Sequence, residues 1–304
     1  MITPTWNGTD FLAETMDSVL AQTYERVEHV LVDDGSTDGT GDLLSGYALR
    51  YPGRVRALQG GARVGPCRRR NEALAVARGG LIAWLDHDDV WLPEKIERQV
   101  AALEASPTAA LSFTQYEEFD GASGRTVQLS RLSSRGDLLE RLFVEGCFIA
   151  SSSVLFPREA MLRRRSRLRD DDFSFGDDYF LWLTLALDGS AVLVDAPLVR
   201  LRRHSGNESA RLGLRNFHLA RITLLQEFLA EFPEARPRLG RAGRIGLAQH
   251  RIAAAAYELE RGRRGHAALH AARAARSDPR GALAVARGLA RGARPRQGTT
   301  MPMP

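Results

Sequence analysis

The chain has 304 residues, 44% of them hydrophobic, which suits one large folded domain or two smaller ones. It lacks the roughly 18 consecutive apolar residues that a membrane-spanning helix needs, and its start lacks the pattern of a signal peptide. Two cysteines, Cys67 and Cys147, are too few for a disulfide framework and are not spaced as metal ligands. These features argue against membrane-spanning and disulfide-rich secreted classes, so we expect a cytoplasmic protein.

The net charge of +5 is unevenly distributed along the chain. Residues 211–304 contain 18 Arg and six acidic residues, so the remainder of the chain is net acidic. An acidic region suits a site for a divalent cation, and a basic tail suits contact with anionic lipid, nucleic acid or a partner. Because Lys95 is the only lysine, a general bias towards Arg is the stronger explanation of the basic tail.

Apolar runs alternate with helical patterns in the first half, which is typical of βα units and a mostly parallel, doubly wound sheet. The predicted strands are residues 1–4, 28–32, 55–59, 81–85 and 109–117. The predicted helices are residues 11–22, 40–51, 67–77 and 93–105. Ligands of such sheets bind beyond the carboxyl ends of the strands, so residues that follow strands are the first candidates for a site.

The second half changes from this alternation to helices. After a polar stretch at 121–134, we predict a helix at 138–143, a strand at 148–156, a helix at 177–187 and strands at 191–195 and 198–202. Helical patterns follow at 214–232, 241–261 and 265–276, with prolines between them. We therefore predict a domain over residues 1–210, a basic Ala/Arg-rich helical extension over 211–290 and a disordered tail over 291–304.

The segment Asp86-His87-Asp88-Asp89, here called the acidic turn, directly follows a predicted strand. Its three carboxylates repel one another unless a cation or hydrogen-bond donors lie between them. Mg²⁺ and Mn²⁺ prefer oxygen ligands, and Mg²⁺ commonly binds one or two carboxylates plus substrate phosphates. A solvated turn that caps the next helix is the alternative, and the turn alone does not decide between them.

A second acidic segment, Asp33-Asp34, follows the second predicted strand. At the mouth of a sheet, a carboxylate can accept hydrogen bonds from ribose hydroxyls or from a base N–H. Gly35 permits a sharp turn, and Asp38 is expected to cap the next helix. A turn followed by a helix cap is the alternative explanation for this segment.

Five motifs, in this order and spacing, resemble glycosyltransferase family 2 over about residues 1–207. They are Ile2–Gly8, Ser18–Tyr24, Val32–Thr40, Gly65–Asn71 and Leu85–Pro93. The resemblance implies an α/β GT-A fold, Rossmann-like, with a C-terminal helical extension. It also implies inverting transfer of a sugar from a nucleotide-diphosphate sugar, with a UDP-sugar favoured over dTDP- or GDP-sugars. The implied acceptor is a glycan, lipid-linked or metabolite hydroxyl, and the implied cofactor is Mn²⁺ or Mg²⁺.

The resemblance implies roles for single residues at the donor end. The nucleotide-sugar contacts would be Pro4, Thr5, Asn7, Asp33, Asp34, Arg70, Asp86, Asp88 and Arg202. Among these, Asp34 would read the base, and the guanidinium groups of Arg70 and Arg202 would face the diphosphate.

For the metal, Asp89 is the first choice as direct ligand, with Asp86 and Asp88 as rivals. His204 falls where the family has a His after a basic strand, so it would complete the metal shell or contact phosphate.

The pair Asp177-Asp178 opens a predicted helix, and Asp178 takes the family's general-base position, with Asp177 where the family usually has Glu. Such a base removes the proton of the acceptor hydroxyl. Without the resemblance, two acids in a first helical turn are better explained by the helix dipole. Trp91, Asp177 and Trp182 are expected on the acceptor side, although each indole is equally compatible with core packing.

Two other classes of protein compete with this prediction. A sugar-phosphate nucleotidyltransferase would need a Gly-rich loop with Lys or Arg near the start, and residues 1–10 contain neither basic residue. A non-catalytic sugar-nucleotide binder or scaffold would use the basic tail to recruit a membrane or partner. Nucleic acid is not expected, because no recognised binding module accompanies the arginines. Peripheral contact with the inner face of the membrane through the basic helices stays open.

Overall fold

The structure is a computed structural model that describes residues 1–164, 176–276, 278–280 and 283, with the backbone alone for Asp177 and residues 208–218. It divides into two compact units. The first unit comprises Met1–Arg135 and Ile149–Ser205, and the second comprises Gly136–Phe148 and the described residues from Gly206 onward. The boundary expected at residue 210 stays a proposal, and the tail expected at 291–304 lies outside the described residues.

The elements alternate along the first half and are helical towards the end. The strands are β1 (Ile2–Thr5), β2 (His29–Asp33), β3 (Val55–Gln59), β4 (Leu81–Ala83), β5 (Val90–Trp91), β6 (Ala109–Asp120), β7 (Thr126–Leu129), β8 (Leu155–Pro157) and β9 (Ser190–Arg203). The helices are α1 (Leu12–Leu20), α2 (Thr40–Arg50), α3 (Pro66–Val76), α4 (Lys95–Glu104), α5 (Leu138–Glu145), α6 (Arg158–Arg163), α7 (Asp177–Leu185), α8 (Glu208–Glu231), α9 (Ala235–Glu260) and α10 (Arg264–Ala274). A short 3-10 helix covers Ser151–Ser153.

The first unit contains two sheets. Strands β1, β2 and β3 are parallel neighbours, and the second sheet has the order β4-β8-β6-β9-β5, with β7 paired to β6. Within it β6 and β9 run parallel, whereas the other pairs are antiparallel. A bridge between Ile2 and Trp84 joins the sheets where the chain leaves β4. The carboxyl ends of β1, β2 and this segment therefore meet at one edge.

Apolar spacing explains how the helices of the first unit pack. Leu12 and Met16 lie one turn apart on α1 and are buried against Leu31, Leu44 and Val55. This arrangement confirms the predicted βα alternation.

The second half of the first unit departs from the predicted strands in two places. The segment predicted as a strand at 148–156 instead forms the 3-10 helix before a short β8, because the Ser153 N–H bonds back to the Ala150 carbonyl, which also accepts the Ser153 hydroxyl. The strands predicted at 191–195 and 198–202 are one strand, β9. Its pairing with β6 shifts at Gln115 opposite Pro197, which has no N–H for the ladder.

Three aromatic rings anchor α7 to the segment that precedes the acidic turn. The Trp84 ring lies 5.3 Å from that of Trp182 and 5.8 Å from that of Phe156, and Phe156 and Trp182 are 5.9 Å apart. All three side chains are fully buried. Since Trp84 is two residues before Asp86, this packing brings the middle of α7 against the segment that leads into the turn.

The second unit is helical. Helix α9 contacts α5, α8 and α10, and buried alanines line the α9–α10 pair. Gly246 lets α5 and α9 touch, since a Cβ there would lie 2.1 Å from the carbonyl oxygen of Phe143. Helix α9 changes direction at Gly240, whose φ is 46°. In the described part of the chain, no helix has the length and apolar character needed to cross a membrane.

Candidate functional site

The acidic turn closes through a hydrogen bond from the Asp89 N–H to the Asp86 carbonyl, and its three carboxylates point to different partners. Asp86 pairs with Arg70 at 2.7 Å, and Asp88 lies 2.9 Å from His204. Asp89 is directed into the protein. Among the residues that the structure describes, no three His, Cys, Asp or Glu side chains converge as a ready metal site.

Polar side chains of α1, and of Gln22 just after it, hold the backbone of the acidic turn and the segment after it. The Thr15 hydroxyl lies 2.8 Å from the Asp89 carbonyl and 2.9 Å from that of His87. Ser18 accepts a hydrogen bond from the Trp91 N–H at 3.2 Å, and Gln22 bonds to the backbone further along through both its amide oxygen and nitrogen. Buried backbone groups need such partners. Thr15 therefore holds the turn itself, and the Ser18–Tyr24 motif holds the segment that follows it.

Asp89 is buried, and both carboxylate oxygens accept hydrogen bonds within the protein. The Ser152 hydroxyl donates to Oδ2 at 2.6 Å, and the Arg202 backbone N–H donates to Oδ1 at 3.0 Å. Burial raises the pKa of Asp89 well above its ordinary value, and the charges of Asp88 and Asp86 raise it further. These internal bonds argue against Asp89 as the first-choice metal ligand.

Asp88 and His204 fit a divalent cation better. Asp88 Oδ2 lies 2.9 Å from His204 Nε2, and both side chains keep some exposure. Adjacent ligands in octahedral geometry, each about 2.1 Å from the ion, lie about 3.0 Å from one another. A carboxylate oxygen suits Mn²⁺, and a neutral imidazole is a common metal ligand. His204 is held from the other side by the Phe11 ring, at 4.7 Å.

Arg70 is buried beneath the acidic turn, with its guanidinium 4.8 Å from the centre of the Trp84 ring. Its bond to Asp86 places a positive charge beside the turn, and its expected contact with a diphosphate stays a prediction. The Asp86 side chain is 41% exposed, so this pair borders solvent.

In the structure, the Asp34 carboxylate binds donors of the protein itself. Its oxygens accept hydrogen bonds from the N–H groups of Val64 and Gly65 at 2.8 and 2.9 Å, and from Arg69 Nε at 2.9 Å. Asp33 is buried as well and accepts from the N–H and hydroxyl of Ser36. Its oxygens hold the loop before α3, and the expectation that Asp34 reads the base stays a prediction.

The loop after β1 is joined to the loop after β2 by Asn7. Its N–H donates to the Ser36 hydroxyl at 2.8 Å, its side-chain oxygen accepts from the Thr37 N–H at 2.9 Å, and its φ is 48°. Asn tolerates this left-handed conformation better than most residues. Pro4 and Thr5 are buried at the end of β1.

Trp6, in the same loop, was not among the predicted site residues. Its ring is only partly buried, and the Arg63 guanidinium lies 3.6 Å from the ring centre. A partly open aromatic ring at the carboxyl end of a central strand is a stacking surface for a base. The only sequence signal that pointed to Trp6 as a site residue was its position inside the Ile2–Gly8 motif.

Arg202 does not extend towards solvent. Its Nε donates to the Asp88 carbonyl at 2.8 Å, and its terminal nitrogen pairs with Glu14. The guanidinium also lies between the rings of Phe11 and Phe119, at 4.7 and 4.6 Å. Arg202 therefore supports the turn, and its expected diphosphate contact stays a prediction. Glu14 had no signal in the sequence beyond its place on α1.

Asp178 lies in the first turn of α7 with a partly exposed side chain, and its Oδ1 accepts a hydrogen bond from the Tyr179 N–H at 2.7 Å. Trp91 and Trp182 are 2% and 0% exposed, so the expectation that their rings face an acceptor sugar is corrected. They are core residues. The Asp177 side chain lies outside the described part of the structure.

Comparison with known proteins gives a consistent family. The profile of "Glycosyl transferase family 2" matches residues 1–163. The chain is 38% identical over 116 residues to the putative teichuronic acid biosynthesis glycosyltransferase TuaG of Bacillus subtilis, covering 38% of this chain and 45% of TuaG. It is 30% identical over 216 residues to the UDP-Glc:alpha-D-GlcNAc-diphosphoundecaprenol beta-1,3-glucosyltransferase WfaP of Escherichia coli, covering 69% of this chain and 79% of WfaP. The match spans 45% of the length of TuaG, and the matches to two further curated relatives span 64% and 51% of their lengths.

Two solved structures share the fold. Staphylococcus aureus TarS 1–349 in complex with UDP-GlcNAc has a TM-score of 0.64 at 17% identity, covering 96% of this chain and 91% of that chain. The mannosyltransferase PcManGT from Pyrobaculum calidifontis, in complex with GDP-Man and Mn²⁺, has a TM-score of 0.55 at 21% identity. The match covers 95% of this chain and 78% of that chain. At such identities the likeness shows the fold alone, and it confirms the predicted GT-A class.

The Arg69–Asp34 pair makes the structural role of Asp34 testable. Replacing Arg69 with Met leaves a buried carboxylate without its cation, so we expect the free energy of unfolding to fall by about 3–5 kcal/mol. Arg68→Met, on the same helix but 59% exposed, should change it by less than about 0.5 kcal/mol. Denaturant unfolding of both variants measures this difference, and equal stabilities would contradict the proposed role.

Proposed function

Because this chain belongs to glycosyl transferase family 2, we propose that it transfers a sugar from a nucleotide-diphosphate sugar to a hydroxyl acceptor with inversion at the anomeric carbon. The observation that carries the proposal is the Asp88–His204 pair, held at 2.9 Å beside Arg70 and Asp86 at the carboxyl edge of the parallel strands. The edge thus combines a candidate cation site with a positive charge for a diphosphate.

We favour a UDP-sugar as donor. TarS has been solved with UDP-GlcNAc and with UDP. WfaP is named as a glucosyltransferase that uses UDP-Glc, whereas PcManGT was solved with GDP-Man. In this chain the nucleoside would lie against Trp6 and the loop containing Asn7. Asp33 and Asp34 would contribute by keeping the neighbouring loops in place. Pro4 and Thr5 would form the base of this loop.

Asp88 and His204 would hold a divalent cation, Mn²⁺ or Mg²⁺. When bound, such an ion neutralises charge on the departing nucleoside diphosphate. The chain's own contribution is to keep this carboxylate and imidazole together, through the Phe11 contact to His204 and the hydrogen bonds to the turn. Arg70 adds a fixed positive charge on the other side of the turn.

Asp178 would act as the general base. Its carboxylate would take the proton of the acceptor hydroxyl as that oxygen bonds to the anomeric carbon and the bond to the diphosphate breaks. Trp182, one helical turn further along α7, packs against Trp84, which supports a position of Asp178 near the turn. Asp177 stays an acceptor-side proposal.

The acceptor is proposed to be a glycan, a lipid-linked precursor or a metabolite, and a lipid-linked acceptor would place the enzyme at the inner face of the membrane. WfaP is named for a diphosphoundecaprenol-linked acceptor. In the second unit, α9, α10 and their connection expose many arginines, which suits anionic lipid. These residues are Arg236, Arg238, Arg241, Arg244, Arg261, Arg263, Arg264, Arg273 and Arg276.

Sedimentation with vesicles tests this membrane contact. We expect the protein to bind vesicles containing phosphatidylglycerol but not pure phosphatidylcholine. Reversing Arg241 and Arg244 to Glu should weaken binding at least about tenfold, since each arginine near an anionic surface contributes about 1 kcal/mol. The same reversal at Arg68 and Arg98, exposed in the first unit, should leave binding unchanged. Equal loss in both double variants would contradict a role for this helical surface.

Donor turnover tests the transferase activity itself. With UDP-GlcNAc, UDP-Glc and GDP-Man offered with Mn²⁺, we expect the wild type to turn over at least one donor. Asp178→Asn should lower kcat by about 100- to 10,000-fold while donor binding persists. Asp42→Asn, also an acid in a first helical turn, should keep full activity.

The outcomes separate the competing classes. Equal turnover by the wild type and Asp178→Asn would remove Asp178 from the mechanism. Binding without turnover by the wild type would favour a non-catalytic sugar-nucleotide binder. Formation of sugar nucleotide from a nucleoside triphosphate and a sugar phosphate would favour a nucleotidyltransferase.

A further inference from the structure

The 3-10 helix at Ser151–Ser153 lies directly beneath the acidic turn, and Ser152 binds both ends of that turn. Its hydroxyl accepts a hydrogen bond from the Asp86 N–H at 3.1 Å and donates one to Asp89 Oδ2 at 2.6 Å. A serine hydroxyl has one proton to donate and two lone pairs that accept. One buried side chain, 1% exposed, therefore fixes the first and last residues of the turn relative to each other.

The bonds of Ser152 continue to the strand that carries His204. Asp89 receives the Ser152 proton at Oδ2, and its other oxygen accepts the Arg202 backbone N–H at 3.0 Å. Arg202 is two residues before His204, at the end of β9. Ser152 is thus linked to both partners of the Asp88–His204 pair, through the turn on one side and through Asp89 and Arg202 on the other.

Buried groups hold Ser152 itself in place. The Trp91 indole donates to the Ser152 carbonyl at 2.8 Å. The Gln99 amide donates to the Ser153 carbonyl at 3.0 Å and accepts from the Lys95 amine at 2.6 Å, while that amine lies 3.8 Å from the Trp91 ring centre. The chain's only lysine is therefore buried, and it holds the Gln99 amide that binds the 3-10 helix. These bonds leave the 3-10 helix little freedom to shift.

We propose that Ser152 is a positioning residue for the transfer site: its hydroxyl sets the geometry of the acidic turn so that Asp88 meets His204. This inference rests on the proposed function, and Ser152 acts through the turn without touching the donor. Loss of the hydroxyl removes one hydrogen-bond partner of the partly buried Asp86 N–H and one of the buried Asp89 carboxylate. The turn should then relax, and cation and donor binding should weaken before the fold does.

Ser153 provides a matched control on the same helix. It is buried to the same degree, but its hydroxyl donates to the Ala150 carbonyl of its own turn at 2.7 Å. Ser152→Ala and Ser153→Ala therefore remove the same atom from neighbouring buried positions.

The experiment compares the two variants with the wild type, using whichever of UDP-GlcNAc, UDP-Glc or GDP-Man the wild type turns over. In Ser152→Ala we expect the Mn²⁺ concentration for half-maximal activity and the donor KM to rise about tenfold, with a smaller change in kcat. Hydrogen exchange at the Asp86 amide should also be about tenfold faster. Ser153→Ala should stay within about twofold of the wild type in each readout. Equal behaviour of the two variants would overturn the inference.

Amide exchange keeps this test separate from the proposed function. If the wild type neither binds nor turns over these sugar nucleotides, the proposed function fails, and exchange at Asp86 still shows whether Ser152 sets the turn. If Ser152→Ala does not fold, Ser152→Cys replaces it under the same criteria, because a thiol keeps most of the volume and forms weaker hydrogen bonds.

Discussion

The candidate site depends on one buried carboxylate. Asp89 lies inside the first unit, where an isolated charge would be costly, and its two oxygens are satisfied by the Ser152 hydroxyl and the Arg202 backbone N–H. These bonds tie together the segment after β4, the 3-10 helix and the end of β9. Asp86 and Asp88 can face outward because their neighbour supplies this internal link.

Other charged residues around the site also bind groups within the protein, as Asp89 does. Asp34 and Arg202 carry charge, yet each is bound within the protein, to the loop before α3 and to the turn respectively. The residues with exposed polar atoms are fewer, chiefly Asp86, Asp88 and His204. Preorganised sites are commonly built this way, with buried polar partners fixing the few groups that meet substrate.

Much of the fold follows from apolar spacing in the sequence. The strand from Val55 to Gln59 matches its predicted bounds, and α1 to α4 lie where helical periodicity placed them. The segment before β8 was harder to predict, because an apolar run containing three serines suits a strand, whereas the Ser153 N–H bonds back to the Ala150 carbonyl and forms a 3-10 turn. Pro197 looked like a break between strands, whereas the ladder absorbs it by shifting register.

The roles of individual site residues were less predictable for a physical reason. Whether Arg69 or Arg70 meets Asp34 depends on which face of α3 is turned to the sheet, and burial of Trp91 and Trp182 depends on tertiary packing. The pairing of Asp88 with His204 joins residues 116 positions apart, which spacing cannot foresee. The family resemblance supplied both candidates, and the structure brought them together.

The most direct test of the account is calorimetric titration of UDP into the protein with and without Mn²⁺. If Asp88 and His204 hold the cation that binds the diphosphate, Mn²⁺ should tighten UDP binding by the wild type and by His87→Ala, the histidine within the turn. The same addition should have little effect on His204→Ala. An equal Mn²⁺ effect in His204→Ala, or the absence of UDP binding by the wild type, would contradict the account.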